Sequence, residues 1–114
     1  MREARKAQEK TFKIQESYKP DDESVENLIK AIAILQDKNE VCNFLRDIMT
    51  IAEIEELAMR LDIAKNLFEK KHSYKEIAEK VKTSTTTVTR VSHWLFRGCG
   101  GYANVLKKML EKNE

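Results

Sequence analysis

The most informative pattern in this chain lies in residues 73–95, which read SYKEIAEKVKTSTTTVTRVSHWL. Apolar residues recur there at helical spacing in two short runs: Ile77 and Val81, then Val88, Val91 and Leu95. Two short helices joined by a turn at Lys82 and Thr83 are typical of a helix-turn-helix. Ala78 supplies the small side chain that a close helix crossing needs. The pattern therefore predicts a helix-turn-helix over about 74–96.

A cluster of hydroxyl side chains stands where the second helix begins. Threonine is a mediocre helix former whose hydroxyl competes for backbone hydrogen bonds, so the cluster needs a reason. Thr83 or Ser84 can cap the helix. Once the apolar stripe is buried, the outer face carries short side chains that allow close approach to DNA and can bond phosphates or base edges. The predicted DNA-binding residues are Lys75, Lys82, Ser84, Thr85, Thr86, Thr87, Thr89 and Arg90, with His93 on the same outer face.

Two observations keep an alternative open. The turn of a helix-turn-helix often contains glycine in a left-handed conformation, whereas this turn has Lys82 and Thr83, at a cost on the order of 1 kcal/mol. Amphipathic helix pairs also serve in packing alone. The competing hypothesis is a helical protein–protein interaction module without specific DNA binding.

The rest of the chain also has helical periodicity and repeated capping patterns. Ser24 is expected to open the first helix, and Asp37–Glu40, Thr50–Glu53 and Ser73–Glu76 have the spacing of capping boxes. Apolar residues on several sides of the third helix, Leu57 among them, indicate that it is buried on more than one side. After the glycines of 98–101, a last amphipathic helix follows. With one proline and three glycines, the chain is predicted to be all-α.

Length and composition fit one small domain, a helical region over 23–114 preceded by a flexible basic arm over 1–22. The apolar runs are too short to span a membrane, and the first residues do not have the composition of a signal peptide, so a cytoplasmic protein is expected. Cys42 and Cys99 are expected to be reduced thiols, the first half-buried. His72 and His93 have no companions for a metal site, and no nucleophile–base pair indicates an enzyme.

Charge is segregated along the chain despite a net charge of only +2. Residues 21–56 contain ten acidic and three basic residues, whereas residues 74–97 contain five basic and two acidic ones. Residues 1–20 contain six basic and three acidic residues. An acidic body flanked by basic regions is compatible with nucleic-acid binding, although a solvated helix face often has the same composition.

The run TIAEIEELAMRLDIAKNLFEKKHSYKEIAEKVKTSTTTVTRVSHWL resembles the Trp repressor superfamily. FLRDIMTIAEIEELAMRL, TVTRVS and the GGY after the helix-turn-helix are similar to its YerC/YecD-like branch, over about residues 25–112. The resemblance implies six helices in an intertwined homodimer, with helices at about 25–37, 39–48, 51–70 and 102–112 interlocking with a second chain. It also implies that helices 74–81 and 84–96 read double-stranded DNA, on a pseudo-palindromic operator, as a repressor.

The same resemblance implies candidate effector-binding residues. Thr50, Arg60 and Arg90 match the threonine and two arginines that hold tryptophan in Trp repressor. Val91 and Trp94, however, stand where the repressor has glycine and serine, and they would narrow or fill the pocket. The expectation is that no cofactor is required, that any corepressor is another small molecule, and that tryptophan is a testable but disfavoured ligand. Thr50 is equally explained as a helix cap.

Overall fold

The structure, a computed structural model, describes residues 11–112. Within them the chain forms six α-helices and no β-strand: α1 Glu23–Ala33, α2 Lys38–Ile48, α3 Ile51–Glu69, α4 Tyr74–Val81, α5 Thr85–Arg97 and α6 Gly101–Lys112. The predicted six-helix all-α fold is confirmed. The main difference in length is in α1, which ends at Ala33 rather than near residue 37.

The helix starts follow from side-chain caps, with one correction. Asp22, not Ser24, caps α1, because its carboxylate accepts the Val25 N–H at 3.1 Å. The predicted Asp37–Glu40 box is half formed. Asp37 accepts the Glu40 N–H, but the Glu40 carboxylate accepts from the Gln36 N–H instead of that of Asp37.

The other two predicted capping boxes are complete. At the start of α3, Thr50 and Glu53 exchange both hydrogen bonds, at 2.9 and 3.1 Å. At the start of α4, Ser73 and Glu76 do the same at 2.8 and 3.2 Å. Each box satisfies two backbone N–H groups that have no partner inside the helix, so these helix starts are defined by local sequence.

The chain divides into two compact units. One is Tyr18–Leu57, which contains α1, α2 and the first turns of α3. Neither α1 nor α2 contains a buried residue. Large apolar side chains are exposed along this unit at Leu28, Ile29, Ile32, Ile34, Val41, Ile48, Ile51 and Leu57. The sequence predicts that Leu57 points inward, but in the single chain it is 44% exposed.

The other unit contains the helix-turn-helix and has its own core. Of the described residues, it comprises 11–17 and 58–112. Its buried apolar residues come from four helices: Ile63, Ala64, Leu67, Ile77, Ala78, Val88, Val91, Leu95, Phe96 and Leu106. The predicted inward residues of α4 and α5 are all in this core except Val81, which is partly buried against it.

The glycine loop joins α5 to α6, and a last helix follows it as predicted. Gly98 is the C-terminal cap of α5, and a Cβ there would lie 2.3 Å from the Trp94 carbonyl oxygen. Gly100 has φ +88°, a conformation that L-residues rarely adopt. Both positions therefore require glycine for different reasons, the first steric and the second conformational.

Two further expectations can be compared with the structure. Cys42 is exposed rather than half-buried, and Cys99 is exposed as well. Across residues 11–112, no helix has the length and apolar character required to cross a bilayer.

Candidate nucleic-acid interface

The turn between α4 and α5 is built from a left-handed residue followed by a cap. Lys82 has φ 62° and ψ 53°, and the Thr83 N–H donates to the Ala78 carbonyl at 2.9 Å, which closes the end of α4. Ser84 then caps α5 by accepting the Thr87 N–H at 3.2 Å. The lysine thus takes the conformation that glycine usually supplies in such a turn.

Helix α5 separates its residues by burial in the way the sequence predicts. Val88 and Leu95 are fully buried, and Val91 is nearly so. The predicted outer face is exposed at Thr85, Thr86, Thr89, Arg90 and His93. A continuous polar face with short side chains at its N-terminal end is therefore available to a partner.

Local hydrogen bonds engage some of these hydroxyls. The Ser84 and Thr87 hydroxyls lie 3.1 Å apart, and Thr87 is only partly exposed. Thr89 donates to the Thr85 carbonyl at 2.9 Å. Within residues 11–112, no such bond is found for the Thr85 and Thr86 hydroxyls, so these two retain both donor and acceptor capacity.

The basic residues on and around the two helices differ in their surroundings. The exposed basic residues are Lys75 at the start of α4, Lys82 in the turn and Arg90 on α5. Lys80, by contrast, donates to the Asn66 side chain at 3.3 Å. Asn66 is buried on α3 and in turn donates to the Asp62 carbonyl at 2.9 Å. Lys80 therefore helps to join α4 to α3.

A buried hydroxyl pair holds the two helices of the motif together. The Tyr74 hydroxyl, at the start of α4, is hydrogen-bonded to the Ser92 hydroxyl on α5. Ser92 is only 2% exposed, so its hydroxyl needs a partner inside the protein. This hydrogen bond, which joins residues 18 positions apart, has no signature in the sequence.

The C-terminal end of α5 is capped by a distant part of the chain, which the sequence also does not reveal. Backbone N–H groups of Lys13 and Gln15 donate to the carbonyls of Phe96 and Gly98, at 2.7 and 2.8 Å. The Gln15 side-chain amide donates to the Arg97 carbonyl at 2.7 Å. Three carbonyl groups at or just beyond the end of the helix are therefore supplied with donors.

An aromatic contact fixes the same segment. The Phe12 ring lies 5.0 Å from the ring of Phe96 and 6.3 Å from that of Phe68, measured between centroids. We call residues 11–15 the N-terminal segment. It belongs to the predicted arm of 1–22, of which residues 1–10 fall outside the described range.

The candidate effector residues are divided between the two units. Thr50 belongs to the first unit, where it caps α3, whereas Arg60 and Arg90 belong to the second and are exposed. Trp94 is 54% exposed and makes an edge contact with the His93 ring. Its side chain is thus half in solvent in the single chain.

Two pKa values are shifted in the unit that carries the motif. A hydrogen bond from the Ser73 backbone lowers the pKa of the Glu76 carboxyl, and His72, 3.8 Å away, acts in the same direction when protonated. Burial raises the pKa of the Tyr102 phenol, an effect opposed by the positive charge of Arg60. The Glu76 shift favours the ionised carboxylate that the capping box uses. Tyr102 packs against the core.

Two packed short helices, a left-handed turn and an exposed hydroxyl-rich second helix define an all-helical helix-turn-helix protein. Residues 23–110 match the sequence model of the Trp repressor protein family. The chain therefore belongs to the Trp repressor family, whose members are regulatory DNA-binding proteins and not enzymes. We conclude that it is a DNA-binding regulator.

Individual relatives agree with this assignment. The chain is 34% identical over 87 residues to YerC of Bacillus subtilis (strain 168), a protein described as uncharacterized, with 76% of this chain and 83% of YerC covered. A TrpR-like protein from Eubacterium eligens ATCC 27750 has a similar solved structure, with a TM-score of 0.72 at 39% identity over 78% of this chain and 91% of the other. The solved structure of a candidate Trp repressor from Staphylococcus aureus is also similar, with a TM-score of 0.68 at 31% identity. The match covers 75% of this chain and 85% of the other.

Proposed function

We propose that the protein is a cytoplasmic, sequence-specific transcriptional repressor that binds a pseudo-palindromic operator as a homodimer. The observation that carries the proposal is the exposed face of α5, on which Thr85 and Thr86 keep unengaged hydroxyls at the N-terminal end of the helix. In helix-turn-helix proteins this end of the second helix contacts base edges. Lys75, Lys82 and Arg90 supply positive charge around it.

We assign each of these residues a role in DNA binding from its surroundings. Thr85, Thr86 and Thr89 are assigned to base edges, where a hydroxyl can bond a base and a threonine methyl can meet a thymine methyl. Lys75, Lys82 and Arg90 are assigned to phosphates. Ser84 and Thr87 act mainly by fixing the start of α5, because their hydroxyls bond each other and the Ser84 hydroxyl accepts the Thr87 N–H.

The homodimer is supported by apolar surface that the single chain leaves in solvent. The unit that contains α1, α2 and the start of α3 exposes nine large hydrophobic side chains, Tyr18 included, and α6 exposes Val105 and Met109. Monomeric proteins rarely expose large apolar patches, so many exposed large apolar side chains on these helices favour a covering partner. A second copy that packs on these faces would place two DNA-reading heads about one helical turn apart.

The first test is a charge placed in the DNA-reading face. Thr86→Glu should abolish operator binding, because a carboxylate at this position meets the phosphates and base acceptors of the groove. Thr86 is the second residue of α5, where an acidic side chain is favourable to the helix, so the variant should fold and dimerise.

Asn39→Glu is the matched control, since Asn39 is the exposed second residue of α2 and follows a capping aspartate. It should bind DNA as the unmodified protein does. Normal operator binding by Thr86→Glu would show that α5 does not enter the groove and would favour the protein–protein interaction module.

Control by a small effector remains a separate proposal at Thr50, Arg60 and Arg90, with constitutive DNA binding or control through another protein as the alternative. Two arginines can flank a planar ligand and pair with its carboxylate. L-tryptophan is disfavoured because the branched Val91 and the large Trp94 occupy positions next to Arg90 on α5. Calorimetric titration of L-tryptophan into the protein, with Arg60→Lys as the comparison variant, tests this: saturable binding that the variant weakens would establish the site.

A further inference from the structure

A cavity of about 390 Å³ lies between the N-terminal segment and one side of α5. Thr11 and Lys13 contribute to it from the segment, and residues 89, 92, 93, 96 and 97 contribute from the helix. Its size lies within the range of small-molecule sites in proteins. Counted at 100° per residue, Arg97 lies only about 20° around α5 from Arg90, but none of the candidate effector residues Thr50, Arg60 and Arg90 lines the cavity. The cavity is therefore distinct from the candidate effector site above.

The lining of this cavity is cationic and rich in donors. Lys13 and Arg97 are positively charged at neutral pH, and the described lining contains no carboxylate to neutralise them. The Thr11 hydroxyl and the His93 ring add hydrogen-bonding groups, whereas the Thr89 hydroxyl already donates to the Thr85 carbonyl. Ammonium and guanidinium groups are donors without acceptor capacity, and they bind phosphate and carboxylate oxygens with charge-assisted hydrogen bonds.

The two walls of the cavity are held together by the contacts of the N-terminal segment. The Lys13 N–H donates to the Phe96 carbonyl. This bond fixes the backbone of Lys13 beside Phe96, the residue directly before the second cation, Arg97. The Phe12 ring, directly before Lys13, packs against the Phe96 ring and holds the segment against the helix. A site whose walls are already positioned loses less free energy on binding than one that must be assembled.

We propose that this cavity binds a small organic anion that carries a phosphate or carboxylate group, and that the anion bridges Lys13 and Arg97. Phe96 in the cavity wall offers apolar contact to the organic part of the ligand. Occupancy ties the N-terminal segment to α5 next to Thr89 and His93, which belong to the outer face of the helix. The site would thus be a second effector site, beside the DNA-reading face.

The test is a titration of the full-length ¹⁵N-labelled protein with inorganic phosphate and, separately, with citrate, against sodium chloride at matched ionic strength. Saturable shifts of the amide signals of Thr11, Lys13, Thr89 and His93 are expected with one or both anions and not with chloride. Hydrogen exchange of the Lys13 and Gln15 amides, which bond α5 and the following glycine, should slow at saturation.

Matched variants show whether the charges are responsible. Lys13→Met and Arg97→Met should each weaken anion binding about tenfold, the loss expected for one charge-assisted hydrogen bond. Lys107→Met, which removes an exposed charge on α6, should leave it unchanged. The proposal is overturned if neither anion gives saturable shifts, if chloride gives the same shifts, or if the two cavity variants bind as the unmodified protein does.

A 16-base-pair duplex of arbitrary sequence distinguishes a free anion from a DNA phosphate. One outcome is that only the duplex shifts these amides, and that Lys13→Met and Arg97→Met weaken binding of the duplex. Lys13 and Arg97 are then DNA contacts, and the effector site is rejected. If both free anions and duplex bind, and only anion binding depends on Lys13 and Arg97, the effector site stands. Neither result depends on whether the protein recognises an operator.

Discussion

Lys82→Gly should stabilise the protein and weaken its binding to DNA. Lys82 has φ 62°, in the left-handed region that costs a non-glycine residue about 1–2 kcal/mol. Glycine removes that strain but adds about 0.5–1 kcal/mol of chain entropy that folding must overcome. The net expectation is an increase of about 0.5–1 kcal/mol in the free energy of unfolding, seen as a higher midpoint in urea with an unchanged slope.

The same substitution removes the charge that is assigned to a phosphate. The dependence of log K on log salt concentration should become shallower by about 0.9 for each phosphate that the protein no longer neutralises. Fluorescence anisotropy of a labelled operator duplex at several salt concentrations measures this slope. Lys70→Gly is the matched control, because Lys70 is the other non-glycine residue of positive φ in the described chain and lies at the end of α3, outside the proposed face.

Two results would refute this reasoning in separable ways. If Lys82→Gly lowers the free energy of unfolding, the turn is not strained in the way its dihedral angles indicate. If Lys82→Gly and Lys70→Gly change the salt dependence equally, Lys82 does not bind a phosphate specifically. Lys82→Asn, which tolerates the left-handed conformation but carries no charge, should make the salt dependence equally shallow with a smaller increase in stability.

The other predictions concern the scaffold of the motif. Gly98→Ala should destabilise the protein by a few kcal/mol, because its Cβ would lie 2.3 Å from the Trp94 carbonyl; an unchanged thermal midpoint would contradict this. Phe12→Ala should release the N-terminal segment and speed amide exchange at Gln15, and retained protection would show that the ring contact is dispensable. The lowered pKa of Glu76 means that its contribution to stability is complete above the ordinary Glu pKa of about 4.3 and is lost as the pH falls through the lower folded-state value. Urea midpoints measured from pH 6 to pH 3 should therefore fall less for Glu76→Gln than for the unmodified protein.

Features that depend on neighbouring residues are predictable from the sequence. The capping residues Thr50 and Ser73 act on a partner three positions away, so spacing predicts both boxes, although the same spacing at Asp37 gives only half a box. The stripes of α4 and α5 predict the buried residues correctly because a helix has a fixed period. The expectation of Ser24 as a cap is wrong because Asp22, two residues earlier, offers an equally suitable oxygen.

Features that join distant parts of the chain are not predictable in the same way. Nothing in the local sequence of residues 11–15 indicates that they cap the end of α5, because that contact spans more than 80 positions. The Tyr74–Ser92 hydrogen bond and the cationic cavity also join residues that are distant in the chain, so local sequence does not reveal them. The inward position expected for Leu57 rests only on the helical periodicity of apolar residues, and Leu57 is exposed in the single chain. This periodicity does not say whether a helix face packs within its own chain or against another chain.

The most direct test of the proposed function is to incubate the purified full-length protein with fragmented genomic DNA from its own organism, and to sequence what it retains, with and without L-tryptophan. The proposal predicts enrichment of one pseudo-palindrome whose half-sites are about one helical turn apart, absent with Thr86→Glu and kept with Asn39→Glu. Retention of DNA without any enriched sequence in either condition, or equal enrichment by Thr86→Glu, would contradict it.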